Sequence, residues 1–197
     1  LVALDGAALN LRVDSCSTAL FAAINLVLSP QTSLIFARGG MLSPDGRCKT
    51  FDARANGYVR SEGVGAVVVR PQGEVLKPAV LSSTAVRHDG RSASLTAPNG
   101  SAQRKLLLMA LGRAALSPIQ VGCAEAHGTG TALGDPTEAG ALVAALDGAA
   151  AACRLALGAA KANVGHAEAA SGQVGLLRAV EQLGCGGNAH LRILNPL

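Results

Sequence analysis

The sequence predicts an α/β fold, and two observations predict it. Short apolar runs with strand character alternate with stretches whose apolar residues recur at helical spacing. The polar, glycine-rich clusters fall at the junctions between the two, where α/β folds place their sites. The composition, 49% apolar and only 15% charged, describes a globular chain with a sizeable core. Its 197 residues suit one domain or part of a larger one.

Taken in order, Cys16–Leu28 is apolar and helix-compatible. Tyr58–Arg70 reads as a hairpin punctuated by Gly63 and Gly65, with Val67, Val68 and Val69 as a buried strand. Ala79–Val86 is a further strand candidate, ended by His88-Asp89-Gly90. Gln103–Leu116 predicts a helix with Leu107, Ala110, Leu111 and Ala114 on one face. Val121–Ala126 is a short strand running into His127. Asp135-Pro136-Thr137-Glu138 is a helix start, with Asp135 as N-cap, proline at the first helical position and Glu138 three residues on. Ala139, Leu142, Val143 and Leu146 then recur at helical spacing. The alanine run 149–152 reads as a helix end or surface loop. Leu155–Gly158 is a strand leading into Lys161, and Ala167–Leu183 a helix with Val174, Leu177 and Val180 inward.

Several function classes lose support here. The apolar stretch Ala19–Leu28 is too short to span a bilayer and contains Asn25, so neither a membrane segment nor a targeting segment is expected. The net charge of +4 is mild, and the only aromatics are Phe21, Phe36, Phe51 and Tyr58, so the stacking platforms of a single-strand nucleic-acid binder are missing. The cysteines (16, 48, 123, 153 and 185) are scattered and odd in number, without a CxxC pair. That pattern suits free thiols in a reducing compartment, hence a cytoplasmic location.

Three polar clusters carry candidate chemistry. In Val13-Asp14-Ser15-Cys16-Ser17-Thr18, a cysteine precedes the helix-compatible run. A helix N-terminus there would stabilise a thiolate and make Cys16 a nucleophile; a buried structural cysteine is the other reading. In Glu125-Ala126-His127-Gly128-Thr129-Gly130-Thr131, a histidine follows a strand and opens a glycine-rich loop. The loop lets backbone approach a ligand, or it is a plain turn; with no Gly-Lys-Ser/Thr it is a poor phosphate loop. In Lys161-Ala162-Asn163-Val164-Gly165-His166-Ala167-Glu168, Lys161 and Glu168 are placed to pair and fix the loop of His166, or to form an ordinary solvated ion pair. Cys123 and His127 have no second pair at metal spacing, so no metal site is expected.

These clusters, in this order, resemble the Cys-His-His site of β-ketoacyl synthases. The resemblance extends to Ser43-Pro44-Asp45-Gly46-Arg47-Cys48-Lys49-Thr50-Phe51-Asp52, to Gly57–Gly63, to Asp89-Gly90-Arg91, to Leu95–Gly100 and to Leu194-Asn195-Pro196. The HGTGT, DPTE and KANVGH strings look most like the ketosynthase domains of type I polyketide synthases. The resemblance implies a thiolase-like, layered α-β-α-β-α fold. The chain is then a single partial domain, with residues 1–70 as nucleophile segment and hairpin and 71–197 as the C-terminal half of the fold.

It also implies the chemistry. Cys16 would accept an acyl group from an acyl carrier protein. His127 and His166 would donate hydrogen bonds to a malonyl-type thioester as it decarboxylates, and the enolate would attack the acyl-cysteine. Lys161 would orient the His166 loop, Glu168 would hold Lys161, and Thr129, Thr131 and Asn163 would contact substrate. No cofactor is implied beyond the phosphopantetheine arm of the carrier, and the intact domain of such a family would be a homodimer. Two departures stand out. The family's nucleophile motif reads Val-Asp-Thr-Ala-Cys, whereas Ser15 alone separates Asp14 from Cys16. The segment Ile24–Pro30 also follows Cys16 about 20 residues too soon for the helix and core strand expected between them. The glycine-rich, Phe-containing loop that completes the family's site is expected beyond Leu197, and the N-terminal half of the fold ahead of Leu1. A second reading therefore stands beside the first: an inactive ketosynthase remnant, at most an interaction module for carrier proteins or a partner subunit.

Overall fold

The computed structural model describes the chain except residues 72, 74–78, 93, 95–96, 148–154, 182–187 and 197. It opens on a helix not expected from the sequence, α1 (Val2–Arg12), which buries Leu4, Ala7 and Ala8 along one stripe. Asp5 in its first turn and Arg12 in its last complement the helix dipole. The helix ends where Asp14 turns into the left-handed region (φ 54) and the Ser15 N–H donates back to the Asn10 carbonyl at 3.0 Å.

The segment predicted as helix from Cys16 is instead strand β1 (Ala19–Asn25). It pairs antiparallel with β2 (Gly63–Val69), in register from Ala19 opposite Val69 to Asn25 opposite Gly63. Pairing with a β-branched partner overrides a local composition that suits either state. Nothing is missing between Cys16 and Ile24: the expected helix precedes the cysteine and the expected strand follows it. The predicted hairpin at Tyr58–Arg70 is likewise corrected, since β2 takes its partner from earlier in the chain. Phe21 is buried against Leu4 and Ala7, while Val68, expected inside, is 51% exposed.

Helix α2 (Pro30–Arg38) starts at Ser29, whose hydroxyl accepts the Gln31 N–H. Residues 79–86 form no strand. Their backbone is met by side chains of α3 (Gly100–Ala114) or reaches it through their own: Arg113 donates to the Thr84 carbonyl at 2.7 Å, and the Ser83 hydroxyl donates to the Ala110 carbonyl at 2.8 Å. Helix α3 is capped by Asn99, whose side chain accepts the Ala102 N–H.

The second half is as expected in outline. Strands β3 (Cys123–Glu125) and β4 (Ala156–Gly158) pair in parallel. Helix α4 (Gly134–Ala145) packs on α3, closing a core of Phe51, Leu142, Ala145, Leu146 and Ala159 with Leu107 and Leu111 against it. Burying each large side chain contributes roughly 1.5–3 kcal/mol. Helix α4 begins one residue before Asp135, so that carboxylate is not its cap, and Val143 is 52% exposed. The short helix α5 (Lys161–Val164) and a 3₁₀ turn (Glu168–Ala170) lead to α6 (Ser171–Glu181), on which Leu177, expected inward, is 43% exposed. Cys123 is disulfide-bonded, so the expectation of free thiols throughout fails there. The alanine run 149–152 lies outside the described residues. Among the described residues no helix is long and apolar enough to cross a membrane.

Candidate active site

Strand β3 delivers His127 into a loop held by two carboxylates, the fully buried Asp135 and the half-buried Glu138. Glu138 on α4 accepts the backbone N–H of His127 at 2.6 Å and of Gly128 at 2.8 Å. Asp135 accepts those of Phe51, Gly130 and Thr131 at 2.8 to 3.3 Å. Burial pushes both carboxyls up, and the N–H groups pull them back. The Thr50 hydroxyl donates to the Gly128 carbonyl at 2.7 Å, and the Gly57 N–H to the Gly130 carbonyl at 2.9 Å. Gly128 is obligatory: its φ is +46, and a Cβ there would lie 2.5 Å from Ala159 Cβ.

His166 is fixed through its backbone, its ring and its tautomer. Its N–H donates to the Val59 carbonyl at 2.8 Å, and its carbonyl accepts the Ser61 N–H at 3.0 Å, which locks the residue beside the start of β2. Its ring meets that of His127 edge to face, with centroids 5.4 Å apart, and that of Tyr58 at 5.0 Å. Its Nδ1 accepts the Glu168 N–H at 3.0 Å, so the neutral ring carries its proton on Nε2. Both imidazoles are held neutral. Burial, then the Lys161 ammonium, bring His166 down to about 4, with Glu168 opposing. The same causes, together with the His166 ring, bring His127 to about 4. His127 is exposed at its surface, so water offsets part of that penalty, and the neighbouring cation secures the direction.

Lys161 is 6% exposed. Burial lowers its pKa, while Glu138 and Glu125 favour the charged form. Its expected partner is corrected: Glu168 pairs instead with Arg60, through contacts of 2.6 and 3.2 Å. Arg60 also donates to the Ser33 hydroxyl and stacks over Phe36. This fork anchors Glu168, whose backbone is left-handed (φ 38), a conformation costing of order 1–3 kcal/mol.

Of the residues expected to contact substrate, Thr129 is buried with its hydroxyl 3.3 Å from that of Thr131, which accepts the Gly134 N–H; Asn163 is exposed on α5. Cys16 does not join this group. Asn25, at the far end of β1, donates to the Ser61 carbonyl, next to His166. Cys16 precedes the opposite end of that strand, about 20 Å away for a ladder of this length. It lines an open cavity of about 620 Å³ with α1 residues and no histidine. It also follows the C-terminal end of α1 rather than opening a helix, so the expected helix N-terminus at the thiol is absent. The helix N-terminus near the start of α6 is that of α1 itself: a Cβ on Gly172 would lie 3.4 Å from the Leu1 backbone nitrogen.

Arg60, Asp135 and Glu138 received no site role from the sequence. The only signal was their presence in the quoted strings, because their partners lie 108, 84 and 11 residues away. Among the described residues no group of three or more His, Cys, Asp or Glu side chains could hold a metal ion.

Comparison with known proteins bears on this arrangement. Residues 78–186 match the family model "Beta-ketoacyl synthase, C-terminal domain", and residues 1–74 match "Beta-ketoacyl synthase, N-terminal domain". One component of the phenolphthiocerol/phthiocerol polyketide synthase of Mycobacterium tuberculosis is 45% identical over 91% of the chain, and another is 42% identical over all of it. The chain spans only 8% and 11% of those proteins. An oxazolomycin ketosynthase domain of Streptomyces albus superposes with a TM-score of 0.93 at 39% identity. The module 6 ketosynthase of the bacillaene synthase of Bacillus subtilis does so at 0.89 and 28%. Each covers the whole chain, which spans 37% of either solved structure. The α/β fold is therefore that of the thiolase-like ketosynthases, and the close superposition along the whole chain agrees with an uninterrupted β1.

Proposed function

We propose, since this chain belongs to the β-ketoacyl synthase family, that it forms the decarboxylating side of a condensing site in polyketide chain elongation. The observation that carries the reading is the pair of neutral imidazoles, 5.4 Å apart, with the proton of His166 on Nε2. Two neutral donors beside a buried ammonium suit a developing oxyanion. A malonyl-type thioester on an acyl carrier protein places its carbonyl oxygen against His127 and His166. The bond to the carboxylate breaks, CO2 leaves, and the electron pair passes into the enolate that the two N–H groups stabilise. The enolate carbon then attacks a waiting acyl thioester. A carbon–carbon bond forms, the carbon–sulfur bond breaks, and the electron pair leaves on the thiolate. Neutrality matters, because an imidazolium could pass its extra proton to the enolate and quench it, whereas a neutral ring N–H stabilises the charge and keeps its proton.

The nucleophile of an intact domain belongs at the N-terminal end of α1, beside Gly172, and not at Cys16. Lys161 supplies a cation that holds both imidazoles neutral. Glu168 acts through its backbone N–H on His166 Nδ1 and through Arg60. Thr129 and Thr131 are placed by the same loop to meet the carrier's pantetheine arm. The test replaces the matching region of the Streptomyces ketosynthase domain with this chain and measures CO2 release from a malonyl thioester. We expect turnover in the chimera and a loss of about 100-fold on His166→Ala; an unaffected His166→Ala chimera refutes the reading.

A further inference from the structure

A further carboxylate stands behind Lys161. Glu125 closes β3, opposite Gly158 of β4, and its side chain is 15% exposed. Its two oxygens are divided. Oε1 accepts the N–H of Ala160, the residue at which α5 opens. Oε2 lies 3.3 Å from Nη1 of Arg178 on α6, a side chain 13% exposed. Gly175 permits this close approach of α6, since a Cβ there would lie 3.2 Å from Glu125 Cγ. Glu125 thus ties the turn between β4 and α5, from which Lys161 starts, to both β3 and α6.

Its charge reaches Lys161 as well. Burial disfavours the ammonium; Glu138 opposes that most strongly, then Glu125, Cys48 and Asp135. The imidazoles of His127 and His166 lie in the field of the same ammonium. Glu138 and Asp135 turn their oxygens to backbone N–H groups of the His127 loop, whereas Glu125 is paired with a cation. We propose that Glu125, braced by Arg178, is a positioning residue for Lys161: it seats the turn that opens α5 and supplies a counter-charge to the ammonium beside the two imidazoles. The inference rests on the condensing reading above and deepens it, because that cation stands beside the developing oxyanion. Arg178 offsets part of the Glu125 charge, so the two residues act on Lys161 with opposite signs. A purely structural brace would not: losing either partner would loosen the same turn and move Lys161 the same way.

The full chain, isotope-labelled at its lysine side chains, is titrated by NMR as the parent, as Glu125→Gln and as Arg178→Gln. The Lys161 signal is the one absent from Lys161→Arg. Glu125→Gln removes the charge but keeps an oxygen for the Ala160 N–H. Its Lys161 should lose the proton about one pH unit lower than in the parent, and Arg178→Gln should hold it to a higher pH. A Lys161 titration unmoved in Glu125→Gln, or moved the same way in both variants, overturns the proposal. In the Streptomyces ketosynthase chimera, the alkaline fall in CO2 release should move to lower pH in Glu125→Gln; a fall that stays in place in an active chimera also overturns it. The lysine titration needs no turnover, so it decides the proposal by itself when a chimera without CO2 release refutes the condensing reading.

Discussion

At the scale of single residues, Gly128 and Gln173 show opposite relations between sequence and site. Gly128 sits where the His127 loop passes closest to Ala159, just after β4, and no side chain fits. Gly128→Ala combines a left-handed backbone with direct overlap on Ala159, and should lower stability by about 3 kcal/mol in denaturant unfolding. A variant as stable as the parent would show that the loop moves freely. Gln173 is 4% exposed on α6, and its side-chain amide has no hydrogen-bond partner among the described residues. Replacing it by leucine removes a buried, unsatisfied group at similar volume, so Gln173→Leu should stabilise by about 1 kcal/mol, read from the same transitions. At this scale the positions of His127 and Lys161 are legible in sequence, because one follows a strand and the other opens a helix, while His166 is held by the distant partners Val59 and Ser61. Cys16 misleads for a local reason: a short Asp-Ser-Cys string before an apolar run looks like a helix start, and only the pairing of β1 with β2 shows it to be a strand start.

At the scale of elements, the fork between Arg60 and Glu168 links the approach to β2 with the turn after His166, over 108 residues of sequence. Nothing local announces such a pair, which is why the nearer Lys161 is the partner the sequence suggests. Arg60→Ala leaves the Glu168 carboxylate unneutralised beside His166. The field of Glu168 already raises the His166 pKa, so the variant should shift it upward, as read by NMR titration of the ring. An unchanged or lower value would mean that Arg60 does not govern this turn. The legible elements, α3, α4, β3 and β4, owe their form to local pattern, with a side-chain cap at Asn99 on α3 alone among them. The others, α1, β1 and residues 79–86, owe theirs to partners elsewhere: the burial of Leu4 and Ala7 on Phe21, the ladder to Val69, and the contacts with α3.

At the scale of the whole molecule, the neutral imidazoles tie stability to pH. His127 and His166 titrate near 4 when folded and near 6.5 when unfolded, so between those values the unfolded chain binds more protons. Their contribution is present above pH about 6.5 and is lost as pH falls towards about 4. Chemical denaturation should therefore show stability falling across that window, and His166→Gln should flatten the fall. The ring N–H donors stay in place over the same range, so decarboxylation should lose its rate with unfolding rather than with histidine protonation. On this reading the chemistry of the chain resides in the imidazole pair and not in Cys16. CO2 release from a malonyl thioester by the ketosynthase chimera, beside its His127→Ala, His166→Ala and Cys16→Ala variants, separates the two alternatives. Losses of about 100-fold for either histidine and parental rates for Cys16→Ala are expected; loss of release on Cys16→Ala, with the histidine variants active, would place the chemistry at the thiol instead.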